Sequence, residues 1–157
     1  MMKMTNLEFL QKIVIGGGKT DEKPPFDYPP PIARTIGLKL VSVDVGTCRL
    51  ELDANTAVHA NPMGTVHGGV LCDLADAAIG TAHATTLGEG ESFTSVDLQI
   101  NFFRPVWNEK IFATAKPVHQ GKTVGRYVCD VTRADGKLIA QVASTVMTLR
   151  GDMAKGR

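Results

Sequence analysis

The spacing of hydrophobic positions changes several times along the chain, and each change marks an element. Leu7, Phe9, Leu10, Ile13 and Val14 recur at helical spacing. They predict a short amphipathic helix over residues 5–15, with Thr5 or Asn6 as N-cap and Gly16-Gly17-Gly18 ending it. Residues 23–31 carry five prolines, which rules out regular helix and central strand and predicts an extended arm laid over the domain or across a partner. Alternation then predicts strands over 38–45 and 48–52, turning at Gly46-Thr47, followed by loop over 55–64. From Val66 or His67 to Leu87 the chain is rich in Ala, apolar and free of proline. That predicts one long helix, stopped by Gly88 and Gly90. Alternation returns over 93–103, 109–118, 123–134 and 137–149, with a two-residue Asp135-Gly136 turn joining the last two strands.

The order is therefore helix, β, β, long helix and four further strands. Tight turns between the last strands predict antiparallel pairing. A central helix that is small and apolar along most of its length needs a sheet to cover it. The fold class that follows is α+β, a curved antiparallel sheet wrapped around that helix. No internal repeat is visible, and the chain divides into a helix-plus-proline arm (1–31), one domain (32–150) and a tail (151–157) expected to fray.

Composition narrows the function by exclusion. The chain has 157 residues, 43% hydrophobic and 21% charged, with a formal net charge of +1, which suits a soluble globular domain and gives no ground for a nucleic-acid or membrane partner. Asp73, Asp76 and His83 interrupt the longest apolar run, so it is not a membrane span, and nothing before Gln11 reads as a signal peptide. Cys48, Cys72 and Cys129 are odd in number and lack metal-ligand spacing, as do His59, His83 and His119. No disulfide framework, metal or cofactor is expected, and a reduced cytoplasmic setting fits best.

The chemistry concentrates in Asn61-Pro-Met-Gly-Thr-Val-His-Gly-Gly69 and the helix that follows it. His67-Gly68-Gly69 brings bare backbone N–H groups to a helix start, where developing negative charge is favoured, as on the oxygen of an attacked acyl carbonyl. Asp73 suits the positive end of the helix dipole. Asp76 lies about 10 Å along the axis from Gly69 by helix rise, too far to meet that oxyanion within one chain. An acid in such an apolar helix suits a nucleophile or a general base for water, and both roles stay open.

These residues as a set resemble the hotdog-fold acyl-CoA thioesterases, in the branch of the phenylacetate-pathway and 4-hydroxybenzoyl-CoA enzymes. Beyond the Asn61–Gly69 run, the matching pieces are Asp76 within Leu-Ala-Asp-Ala-Ala, Thr94-Ser95-Val96-Asp97, Asn101-Phe-Phe-Arg-Pro105, Gln120-Gly-Lys-Thr123 and Gly136-Lys-Leu-Ile-Ala-Gln141. The resemblance implies that Asp76 is the catalytic carboxylate, that Gly68 N–H polarises the thioester carbonyl, and that Asn61 holds the water or carbonyl from the opposite subunit. It implies that His67 orients the loop or contacts the thioester and that Ser95 positions water. Gly69, Asp97, Arg104, Gly121, Lys122 and Thr123 fall on its substrate and coenzyme A side. It also implies a site at a dimer interface, in a homo-oligomer expected to be a tetramer. Pro24 to Pro31 are then expected to cover part of the acyl pocket or an adjoining subunit. The competing readings are a non-catalytic acyl-CoA sensor and a hydratase, whose Asp-to-His spacing is missing here.

Overall fold

The structure is a computed structural model and describes residues 3–16 and 24–156. Helix α1 (Asn6–Gly16) is followed by α2 (Pro31–Ile36), β1 (Lys39–Asp44), β2 (Thr47–Asp53), α3 (Thr56–His59), α4 (Gly68–Ala84), β3 (Ser92–Phe102), β4 (Lys110–Gln120), β5 (Val124–Arg133) and β6 (Leu138–Leu149). The strands form one antiparallel sheet in the order β1-β2-β4-β5-β6-β3, so β1 and β3 are its edges. It is the expected α+β hotdog architecture, with α4 held against one face of the sheet.

Close approach of α4 to the sheet is made possible by small residues on both sides. Leu71, Leu74, Ala75, Ala78, Ile79 and Ala82 are buried on the helix, and Ala113, Ala115 and Cys129 are buried on the strands. Short side chains facing each other let the helix backbone sink toward the sheet, and Leu50, Ile111 and Val142 fill the gaps between them at less than 3% exposure.

Several expectations need correction. α4 begins at Gly68 and ends at Ala84, inside the predicted limits. Val66 is instead bridged to Ala60 and donates its N–H to Val106 O at 2.8 Å. The end comes before Gly88 because Thr85 and Thr86 turn their hydroxyls back onto the Ala82 and His83 carbonyls. Two short helices were not foreseen. Pro31 starts α2, where a missing N–H costs nothing, and Asn55 caps α3 by accepting from Ala57 N at 2.9 Å. The last hairpin turns through Ala134, Asp135 and Gly136, because Arg133 N donates to Lys137 O, with Gly136 left-handed at φ 83°. Gly17, Gly18 and Lys23, named in the predicted helix stop and arm, lie outside the described residues. Residues 151–154 of the tail form a 3-10 turn.

One feature of β3 sets the site. The pairing of β3 with β6 slips between Ser95 and Asp97, leaving Val96 as a bulge. Phe93 and Ser95 point toward α4 before it, and Leu98, Ile100 and Phe102 point that way after it. The bulge turns Asp97 to the other face, where Arg126 (3.0 Å) and Thr145 N (2.7 Å) hold its carboxylate.

Candidate active site

The loop before α4 is built by its own side chains. The Asn61 carboxamide oxygen accepts from Met63 N and Thr65 N, and its NH2 group donates to Thr65 Oγ1 at 2.9 Å. His59 is fixed below, contacting Asn55 N and Ile36 O, and its own carbonyl accepts from His67 N. His67 is the N-cap of α4. Its Nδ1 accepts from Gly69 N at 2.8 Å, so the Gly69 donor is spent within the loop. Gly68 N–H makes no hydrogen bond among the described residues. Its Cα lies under the Phe102 ring, and a Cβ there would come within 2.8 Å of that ring. Glycine is needed here because a side chain would collide with that ring.

Gly68, Asn61, Phe102 and Arg104 line one cavity of about 430 Å³. The Arg104 guanidinium also donates to Leu138 O at 2.6 Å. Asp76 and Ser95 line a different cavity of about 480 Å³, together with Asp73, Ala77, Gly80 and Phe93. A shallow groove outside it is lined by Cys72, Val96 and Asp97 as well as Asp76. In one chain, then, the Gly68 donor and the Asp76 carboxylate belong to separate spaces, as the helix rise requires.

Ser95 Oγ donates to Asp76 Oδ1 at 3.3 Å, a long bond. Asp76 is exposed in the single chain, yet enough protein surrounds it that lost hydration dominates and raises its pKa above the usual carboxylate range. The Ser95 hydrogen bond opposes this, and the Asp73 charge adds to it. Asp73 sits in the second turn of α4 rather than the first, so its relevant neighbour is Asp76 and not the helix dipole.

The turn at Gly121, Lys122 and Thr123 lies apart from both cavities. Gly121 N closes onto Val124 O, Arg150 binds the Lys122 carbonyl at 2.5 Å, and Thr123 O accepts from Thr148 N. Sequence reasoning expected the proline arm to cover part of the acyl pocket or an adjoining subunit, but singled out none of its side chains. Yet Pro25, Phe26, Asp27 and Tyr28 line the Asp76 cavity. The signal available was the pair of aromatics inside a proline run, which a purely solvated tether does not need.

Comparison with known proteins identifies the family and the fold. The thioesterase superfamily profile matches residues 63–140, from the loop before α4 into β6. Acyl-coenzyme A thioesterase 13 of Homo sapiens is 37% identical over 111 residues, 69% of this chain and 78% of that protein. The 1,4-dihydroxy-2-naphthoyl-CoA hydrolase of Listeria monocytogenes is 28% identical over 115 residues, 73% of this chain and 93% of that one. Among solved structures, the Escherichia coli PaaI protein from the phenylacetic acid degradation operon superposes with TM-score 0.72 at 26% identity, covering 78% of this chain and 87% of that one. The chain belongs to the thioesterase superfamily: it is a hotdog-fold thioester hydrolase.

Proposed function

We propose that this protein hydrolyses an acyl- or aryl-CoA thioester to the free acid and coenzyme A, with Asp76 as the acting carboxylate. The observation that carries this is the placing of Asp76: a carboxylate that lines a cavity, is held by the fold through one long hydrogen bond, and has its pKa raised by lost hydration. Such a group is held for chemistry rather than for stability. Deprotonated, it attacks the thioester carbon or takes a proton from the attacking water; Ser95 keeps one of its oxygens oriented. The unspent Gly68 N–H at the start of α4 receives the developing oxyanion. The thiolate of coenzyme A leaves as the carbonyl re-forms; in the nucleophilic route water then hydrolyses the resulting Asp76 acyl anhydride to the free acid, and in the general-base route the Asp76 carboxyl passes its proton to the departing thiolate.

The two halves meet in a dimer joined at β3. This edge is 11 residues long, with Val96 at 61% and Phe102 at 54% exposure, and an open edge with exposed apolar side chains is a template for another strand. Ser95 stands toward one end of β3 and Phe102, over Gly68, at the other. Antiparallel pairing of two copies about a two-fold near Leu98 brings the Asp76 end of each chain to the Gly68 end of the other. Arg104, next to Gly68, then faces the coenzyme A phosphates.

The test is a thiol-release assay with a panel of CoA esters, followed by mixing of variants. Asp76→Asn and Gly68→Val homodimers are each expected to be inactive, while refolded mixtures recover about a quarter of the wild-type turnover per chain, since a heterodimer rebuilds one intact site of two. Binding of CoA esters without any thiol release would show a sensor instead. Release that no mixture restores would place both groups in one chain.

A further inference from the structure

The cavity beside Asp76 is closed on its outer side by the chain's own N-terminal arm. Phe26 packs edge-on against Phe9 of α1 with ring centroids 5.3 Å apart, and against Tyr28 at 6.2 Å. Phe9 is 3% exposed, so this aromatic series is rooted in the fold. α1 packs on β1, and its Asn6 side chain donates to Ala84 O at the far end of α4. The Arg34 guanidinium of α2 binds the Pro29 carbonyl and ties down the other end of the arm. Beneath lie Ala77, Gly80, Thr81 and Ala84. These are small residues along the α4 face that lines the cavity, and Phe93 of β3 fits against Gly80 closely enough that a Cβ would meet its ring at 3.3 Å. Burial pushes the Tyr28 phenol up to about 12, so it stays neutral inside this wall.

We infer that residues 24–31 are the roof of the acyl-binding cavity, and that Phe26 and Tyr28 are specificity-determining residues that confine the enzyme to compact acyl groups, single aromatic rings and medium-length chains. This rests on Asp76 being the acting carboxylate. From Asp76 to Ala84 the cavity floor runs about 12 Å by helix rise, within a volume of about 480 Å³. Asn6 and α1 close its far end. An acyl group with its thioester at Asp76 therefore lies along α4 under the aromatic pair, and a long linear chain meets α1 before it is fully seated. The proline content has a physical role in this: it keeps the roof extended and lowers the entropy lost on ordering it.

The test uses full-length protein and a series from acetyl- through octanoyl- and benzoyl- to palmitoyl-CoA. Phe26→Ala and Tyr28→Ala open the roof, and the palmitoyl-to-octanoyl ratio of kcat/KM is expected to rise about tenfold or more, a size typical of pocket contacts. Phe26→Trp fills the cavity and is expected to move preference the other way, toward acetyl and away from octanoyl. Loss of folding could not produce shifts of opposite sign, and circular dichroism melts accompany each variant. An unchanged chain-length profile in active variants overturns the roof while leaving the hydrolase intact. Absence of thiol release by wild type from every ester removes the underlying assignment instead.

Discussion

Two titratable side chains on α4 show how differently one helix treats polar groups. His83 is 1% exposed and fully partnered, with Nδ1 3.0 Å from Tyr127 OH and Nε2 2.9 Å from Thr148 Oγ1. The protons can be assigned along the network. Gln120 gives its NH2 group to Thr86, so its oxygen accepts from Tyr127 OH, whose own oxygen then accepts from His83 Nδ1–H. His83 Nε2 is left to accept from Thr148. The neutral ring is thus specified, in line with a pKa lowered by burial and only partly restored by Glu91. Asp76, about two turns earlier, has one hydrogen bond at 3.3 Å and a raised pKa. A buried polar group saturated by the protein holds the fold together; one that reaches solvent beside a cavity with a single protein partner is available to a substrate.

The sharpest break of this contrast is Asp76→Asn. Turnover should fall by about 10²–10⁴-fold, the range for loss of a general base, and the melting temperature should rise at neutral pH. A carboxylate whose folded pKa lies above its unfolded value binds protons more tightly when folded, so it costs stability once pH rises past the unfolded value. Wild-type turnover in purified Asp76→Asn would end the assignment. Gly68→Ala should cost about 10²–10³-fold in kcat, through displacement of the Phe102 ring and loss of access to the N–H, a loss visible in single-turnover kinetics.

His83→Phe should do the reverse, leaving chemistry per folded molecule nearly intact. It leaves the Thr148 hydroxyl without its acceptor while Tyr127 OH keeps its bond to Gln120, and should cost about 1–3 kcal/mol for the unsatisfied group, read from urea unfolding. Its pH signature has a definite sign. The folded pKa lies below the unfolded value of about 6.5, so wild-type stability is full above that value and is lost as pH falls toward the folded pKa. The variant should lack that slope; an identical slope would assign it to another group.

The smallest effects are the most diagnostic of the electrostatics at Asp76. Ser95→Ala removes the interaction that lowers its pKa, and Asp73→Asn removes a charge that raises it. The acid limb of kcat/KM should therefore move to higher pH in the first and to lower pH in the second. Limbs that move in the same direction, or not at all, would mean that another group controls the profile.

Much of this was legible beforehand because α4 and its loop are local. Small apolar residues around an interrupting acid, preceded by Gly-Gly, describe a helix start and its cargo without reference to anything distant. Even so, the residues alone offered both glycine N–H groups, and only the family resemblance singled out Gly68. His67 caps its own helix and consumes the Gly69 donor, a choice made by the loop conformation. Asn61 likewise has its carboxamide engaged in its own turn. Asp97 looked equivalent to Ser95 by alternation, two residues on, but the Val96 bulge sends it to the opposite face. Such a bulge belongs to the pairing of β3 with β6 and leaves no trace in one strand's pattern.

By itself the sequence determined the order of elements, the antiparallel sheet around one helix, and the placing of an acid about two turns beyond a bare glycine, because periodicity and backbone chemistry act over a few residues at a time. Only the tertiary structure decided which face of β3 each residue occupies, that Asp76 is left with a single long hydrogen bond while His83 is saturated, and that Phe26 and Tyr28 close the cavity over α4. Each of those outcomes depends on which distant segments come into contact, and no local pattern encodes that.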